Sequence, residues 1–147
     1  MAQLKLPFGR GHITADIPDG RLAGVLQSRA HSYQAKADQP ELVRQALENP
    51  IGSPRLRELA AGKNKVVILS SDHTRPVPSK VILPQLVEEL RAGNPDAEIT
   101  VLVATGFHRP TTEAELLDKY GETLYRHSGL RFVIHESGKK EDMVHLG

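Results

Sequence analysis

Lys65-Val66-Val67-Ile68-Leu69-Ser70 decides the fold of this chain. Its apolar run is continuous rather than alternating, the pattern of a parallel strand covered on both faces. Ile99 to Ala104 repeats the pattern, and a third strand is expected over Leu130 to Ile134. Between the first two strands, Val81, Ile82, Leu86, Val87 and Leu90 recur at helical spacing after Pro78, and Gly93 ends the run. Pro84 lies inside that helix and is expected to kink or split it. Between the second and third strands, Thr112-Glu113-Ala114-Glu115 forms a capping box that opens a helix through Leu116 and Leu117 to Gly121. The expectation is an α/β fold with a largely parallel βαβαβ sheet, flanking helices and right-handed crossovers.

Working outward towards the N-terminus, Ser53-Pro54 starts a short helix with Leu56, Leu59 and Ala60 inward and Gly62 as its cap. An earlier helix begins near Asp38, where Asp38 and Glu41 resemble a capping box, and stops at Asn49-Pro50-Ile51-Gly52. Residues 21–37 give no firm pattern. The opening segment reads as an N-terminal β-hairpin: Leu4 and Leu6 alternate with polar residues, as do Ile13, Ala15 and Ile17, around Gly9-Arg10-Gly11.

The 147 residues suffice for one domain, and no linker divides them. With 19 basic and 18 acidic residues the formal charge is +1, which excludes the cationic surplus of an electrostatic nucleic-acid binder. Cysteine is absent, which removes disulfides, thiolate metal sites, iron–sulfur clusters and cysteine nucleophiles. The apolar runs are far shorter than the ~20 residues of a membrane helix, and the start has no signal-peptide pattern. A cytoplasmic protein is the expectation.

In open α/β sheets ligands collect at the carboxyl ends of the strands. Here the first buried strand runs into Ser70-Ser71-Asp72-His73-Thr74-Arg75-Pro76-Val77-Pro78-Ser79, and the second into Thr105-Gly106-Phe107-His108-Arg109-Pro110-Thr111-Thr112. Asp72 can orient a donor, and Arg75 offers a planar fork for a carboxylate or phosphate. The helix after Pro78 points its first amides at the same space. The plain structural alternative is that Asp72 and Arg75 pair with each other and cap that helix. His108 is suited to proton transfer near neutral pH, and Arg109 beside it is a candidate for a second negative group. The alternative for His108 is a surface histidine bonded to the following helix. His135 ends the third strand at the same edge.

Standard motifs do not match. Gly62-Lys63 lacks the upstream glycine of a phosphate loop, since Arg57 occupies that position. No G-x-G-x-x-G follows a strand, and no G-x-S-x-G elbow is present. Seven histidines without a tight pair argue against a closed protein-only metal site.

Three stretches carry a family resemblance: Asn49-Pro50-Ile51-Gly52-Ser53-Pro54 with Leu56 and Leu59; Ser71 to Ser79 with the apolar helix and Pro84; and Ala104 to Thr111 with Glu115. In order and spacing they resemble the N-terminal part of the nickel-pincer lactate racemases, so that residues 1–147 are expected to be a partial N-terminal domain. The resemblance implies a full-length isomerase that inverts lactate or a related 2-hydroxy acid. It implies a cofactor, the nickel-pincer nucleotide (a nickel pyridinium-3,5-bisthiocarboxylate mononucleotide). In that family a histidine takes the proton of the 2-hydroxyl while hydride passes reversibly to the cofactor. Carried over by motif, Asp72, His73, Thr74 and Arg75 contact cofactor or substrate, Arg75 partners the substrate carboxylate, and His108 is one of two acid–base histidines. Arg109 joins Arg75 as a substrate-binding candidate.

The second histidine, the lysine that bonds the cofactor after a Gly-Gly pair and the histidine that completes nickel coordination find no counterpart here. The lysines after His108 are Lys119, Lys139 and Lys140, none in that context. The expectation is a truncated chain ending at His145-Leu146-Gly147, with half a site and no turnover alone. Its partners would be the missing C-terminal part and a small 2-hydroxy acid, with no nucleic acid and no membrane. Two rival readings stand beside this one. One is a standalone nucleotide- or phosphate-binding module built on Asp72 to Ser79. The other is a metal-assisted enzyme using Asp72, His108 and His135.

Overall fold

Gly9-Arg10 closes a tight turn between β1 (Ala2–Phe8) and β2 (Gly11–Ile17) in the computed structural model, which describes residues 1–127 and 129–145. The strands pair antiparallel, Leu4 opposite Ala15 and Leu6 opposite Ile13, as the alternation requires. The chain forms two compact units, Met1–Lys36 and Ala37–Gly147. The boundary follows a stretch whose regular structure is a 3-10 turn, Arg29–Ser32, and it carries no Gly- or Pro-rich linker signature. Leu146 and Gly147, noted at the end of the sequence, lie outside the described residues.

In the second unit, α1 (Gln39–Glu48) is capped by Asp38, whose side chain accepts from the Glu41 amide at 2.9 Å. The reciprocal half of the expected box is replaced: the Glu41 carboxylate turns along the helix to Arg44 and Gln45. α2 (Leu56–Ala60) starts two residues later than the Ser53-Pro54 signal, with Arg55 at its N-cap. Ala60 is buried, but Leu59 is 48% exposed, because one helical turn presents a single narrow face.

β3 (Lys65–Ser71), β4 (Glu98–Ala104) and β5 (Leu130–Ile134) form a parallel sheet in the order β3-β4-β5. α3 (Ser79–Gly93) connects the first pair; α4 (Glu113–Tyr120) and the unforeseen α5 (Glu122–Tyr125) connect the second. α3 runs unbroken through Pro84, which stands on the exposed side of the helix. The capping box at Thr112 forms as read: its hydroxyl accepts from the Glu115 amide, and the Glu115 carboxylate accepts from the Thr112 amide at 2.9 Å.

Leu83, Val87 and Leu90 of α3, Leu116 and Tyr120 of α4 and Leu124 of α5 close on Ile99, Val101 and Val103 of β4, with Val66, Ile68, Phe132 and Ile134 beside them. All these helices therefore cover one sheet face. The expectation of cover on both faces is corrected here: Val67 is 58% and Leu69 73% exposed. The reason is topological, since two successive crossovers of one hand, advancing in one direction, put their helices on the same side. No helix among the described residues is long and apolar enough to cross a membrane.

Candidate active site

The parallel register sets Ser71 of β3 beside Ala104 of β4 and so brings the two polar loops together at the carboxyl edge. Gly106 turns the second loop at φ +57, a left-handed conformation that few other residues adopt without strain. The turn is closed by the His108 amide on the Thr105 carbonyl at 3.1 Å, and the His108 ring swings across to Asp72.

Asp72 is 2% exposed, yet its oxygens are satisfied. One accepts the Thr74 hydroxyl at 2.7 Å and the Thr74 amide at 3.1 Å; the other lies 2.6 Å from His108 Nδ1. Burial by itself raises the pKa of this carboxyl. The Thr74 hydroxyl, the His108 ring and the Thr74 amide outweigh burial and hold it at about 2, so Asp72 is an anion throughout the neutral range. A carboxylate only accepts, so Nδ1 of His108 carries the proton and donates. In the neutral ring Nε2 is then the basic nitrogen. His108 is 46% exposed at its side chain, and the couple is thus anchored at Asp72 and open at the imidazole. The alternative in which Asp72 pairs with Arg75 and caps α3 is not what forms; Pro78 holds the N-cap position without a side-chain bond.

A cavity of about 640 Å³ opens on the uncovered sheet face between the loops, with Ser71, Asp72, Arg75, Gly106, Phe107 and His108 in its wall. That volume suits a small-molecule site. The Arg75 guanidinium has no hydrogen-bond or carboxylate partner among the described residues, while its backbone carbonyl accepts from Lys119 Nζ at 3.2 Å. Ser71 Oγ is buried without a partner, an arrangement that a bound ligand would relieve.

The remaining expected residues are placed differently. Thr74 supports Asp72 and lies 3.4 Å from His108 Nδ1. His73 points away from Asp72, to Thr111 Oγ1 at 3.1 Å and towards Glu115 at 3.7 Å. Arg109 is bidentate to Glu115, at 2.6 and 2.8 Å, and is not in the cavity wall. His135 is tied by its backbone to Val103 and Thr105, and it is also outside that wall. No cluster of three or more His, Asp or Glu suited to a metal occurs among the described residues. Sequence reasoning gave no site role to Ser71 or Lys119. The helical spacing of Lys119 after Glu115, one turn apart on the same face, is the signal that would have found it.

A parallel α/β unit with a buried carboxylate, a histidine bonded to it and an uncommitted arginine at its strand ends has the makings of a site for a small anionic molecule. Comparison with known proteins narrows this. Residues 8–147 match the lactate racemase N-terminal domain family, and the chain belongs to that family. It is 46% identical to the lactate racemase of Thermoanaerobacterium thermosaccharolyticum and 49% identical to that of Lactiplantibacillus plantarum, in each case over its whole length. The solved lactate racemase apoprotein of T. thermosaccharolyticum superposes with a TM-score of 0.86 at 44% identity, covering 99% of this chain and 33% of that one. The chain spans about a third, 34%, of the length of the curated relatives it matches.

Proposed function

We propose that this chain is the acid–base and anion-binding third of a 2-hydroxy acid racemase acting on lactate in the cytoplasm. The observation that carries the reading is the Asp72–His108 couple facing Arg75 across one cavity, in a chain of this family. Arg75 pairs with the substrate carboxylate through its planar fork. His108 takes the proton of the 2-hydroxyl on Nε2 and returns it after inversion. Asp72 fixes the ring's tautomer and stabilises the imidazolium that forms, the part an acceptor behind a catalytic histidine plays.

The residues present fit the nickel-pincer nucleotide in one respect: the unpartnered Ser71 hydroxyl and the uncommitted Arg75 suit an anionic group. Ser71 and Arg75 would hold it, with Asp72, His73 and Thr74 shaping the loop that carries them. When bound, the nucleotide supplies a reversible hydride acceptor. One histidine serves one face of the substrate, so racemisation requires a second acid–base group. That group, the covalent lysine and the nickel-binding histidine belong, on this reading, to the other two-thirds of the protein, and the 147 residues alone do not turn over.

The test is racemisation of L-lactate by the full-length, cofactor-loaded protein, followed by chiral chromatography. Wild type should produce D-lactate and His108→Asn should not. A folded wild type that leaves L-lactate untouched, or a His108→Asn protein as fast as wild type, defeats the reading.

A further inference from the structure

Two arginines flank the loops, and they are in opposite conditions. Arg75 stands in the cavity wall with its guanidinium uncommitted, whereas Arg109 is committed on several sides. Its two terminal nitrogens meet both oxygens of Glu115, at 2.6 and 2.8 Å, and one also reaches the Pro110 carbonyl at 3.0 Å. Glu115 in turn accepts the Thr112 amide at 2.9 Å and the Thr112 hydroxyl at 3.0 Å. His73, from the other loop, lies 3.7 Å from the same carboxylate and 3.1 Å from Thr111 Oγ1. One turn further along α4, Lys119 grips the Arg75 carbonyl at 3.2 Å. The first turns of α4 thus hold both loops at once.

We propose that Arg109 is a positioning residue, clamped by Glu115 so that His108 faces Asp72, and that it does not contact the substrate carboxylate. The proposal rests on the racemase reading given above. His108 closes the turn that begins at Gly106 and Arg109 follows it directly, so anchoring Arg109 on α4 fixes the backbone that carries the His108 ring to Asp72. To reach a substrate, Arg109 would have to abandon a fork-to-fork pair and leave the Glu115 carboxylate without it. Side chains 57% and 27% exposed form a pair that contributes little to global stability. Its effect is therefore geometric, and misplacing a reacting group by about 1 Å can cost on the order of 100-fold in rate.

The experiment uses full-length, cofactor-loaded protein carrying Arg109→Gln, Glu115→Gln or both. Glutamine at position 115 preserves the cap on α4, because the capping box accepts Glu or Gln. Each single variant should lower kcat roughly 10- to 100-fold with KM for lactate unchanged. The double variant should be no worse than either single one, as expected of two ends of one contact. Substrate binding by Arg109 would instead raise KM in Arg109→Gln alone, and that result overturns the proposal, as does additivity of the two losses. Hydrogen–deuterium exchange without lactate supplies an independent reading. Amides of residues 105–112 should exchange faster in both single variants, and unchanged exchange defeats the clamp. If wild type racemises no lactate, the functional reading falls, and the exchange data alone judge the clamp.

Discussion

His108 Nδ1 lies 2.6 Å from the Asp72 carboxylate, across 36 residues of chain and between two strands that are neighbours in the sheet. The couple is made by register: strands ending level, Ser71 beside Ala104, deliver one loop carrying the carboxylate and one carrying the imidazole.

Asp72→Asn preserves shape and removes the charge that holds the His108 tautomer. In the full-length protein kcat should fall by about 10²- to 10⁴-fold, with KM for lactate little changed. Steady-state racemisation kinetics, with a circular dichroism melt to confirm folding, check it.

The same aspartate makes stability depend on pH. Its pKa in the folded chain, about 2, lies below the ordinary 3.8. A depressed carboxyl contributes stability that is present above the unfolded value and lost as pH falls through the folded one. The contribution is about 2 kcal/mol at neutral pH. Wild type should therefore lose this advantage over Asp72→Asn between roughly pH 5 and pH 2. Urea unfolding of both proteins across that range measures the closing gap.

Arg75→Lys retains a positive charge but loses the planar fork. Hydrogen bonds to charged groups are worth about 1.5–3 kcal/mol, so KM for lactate should rise roughly 10- to 150-fold. Lactate saturation curves on the full-length protein test this, and an unchanged KM would remove Arg75 from the substrate.

Ser71→Ala separates ligand binding from folding. Its hydroxyl is buried without a partner, so removing it should leave ligand-free stability unchanged or raise it by about 1 kcal/mol. Affinity for the loaded ligand should weaken. Thermal melts with and without cofactor report both effects.

Gly93 sits where α3 meets the residues of α2. A Cβ there would stand 1.9 Å from the Arg57 carbonyl oxygen, with backbone on both sides of the conflict. Gly93→Ala should destabilise by about 1–3 kcal/mol, measurable by urea unfolding.

The strands, the helices after Pro78 and Thr112 and the two polar loops are legible in the sequence because each rests on local signals: a run of β-branched residues, a 3.6-residue period, a capping box. His108 and Asp72 are legible as chemistry, and their pairing follows once the strands are known to be parallel. The face that Val67 and Leu69 would present is not legible. A continuous apolar run specifies that both sides of a strand repel water, and says nothing of which part of a protein covers each side. The pairing of Arg109 is not legible for a related reason: side-chain type shows what a guanidinium can bind, while its contact with Glu115 depends on how α4 meets the loop.

Val67 and Leu69 also bear on handling. Expressed by itself, this polypeptide carries an oily panel on its sheet, with the candidate site at the panel's rim. Anyone wishing to study these residues as a miniature would do well to repaint that panel first. Threonine or lysine at position 67 keeps the pleat and leaves the packed side of the strand alone, while Leu69, which lines the candidate cavity, is kept so that light scattering and spectra report on single molecules with the site intact.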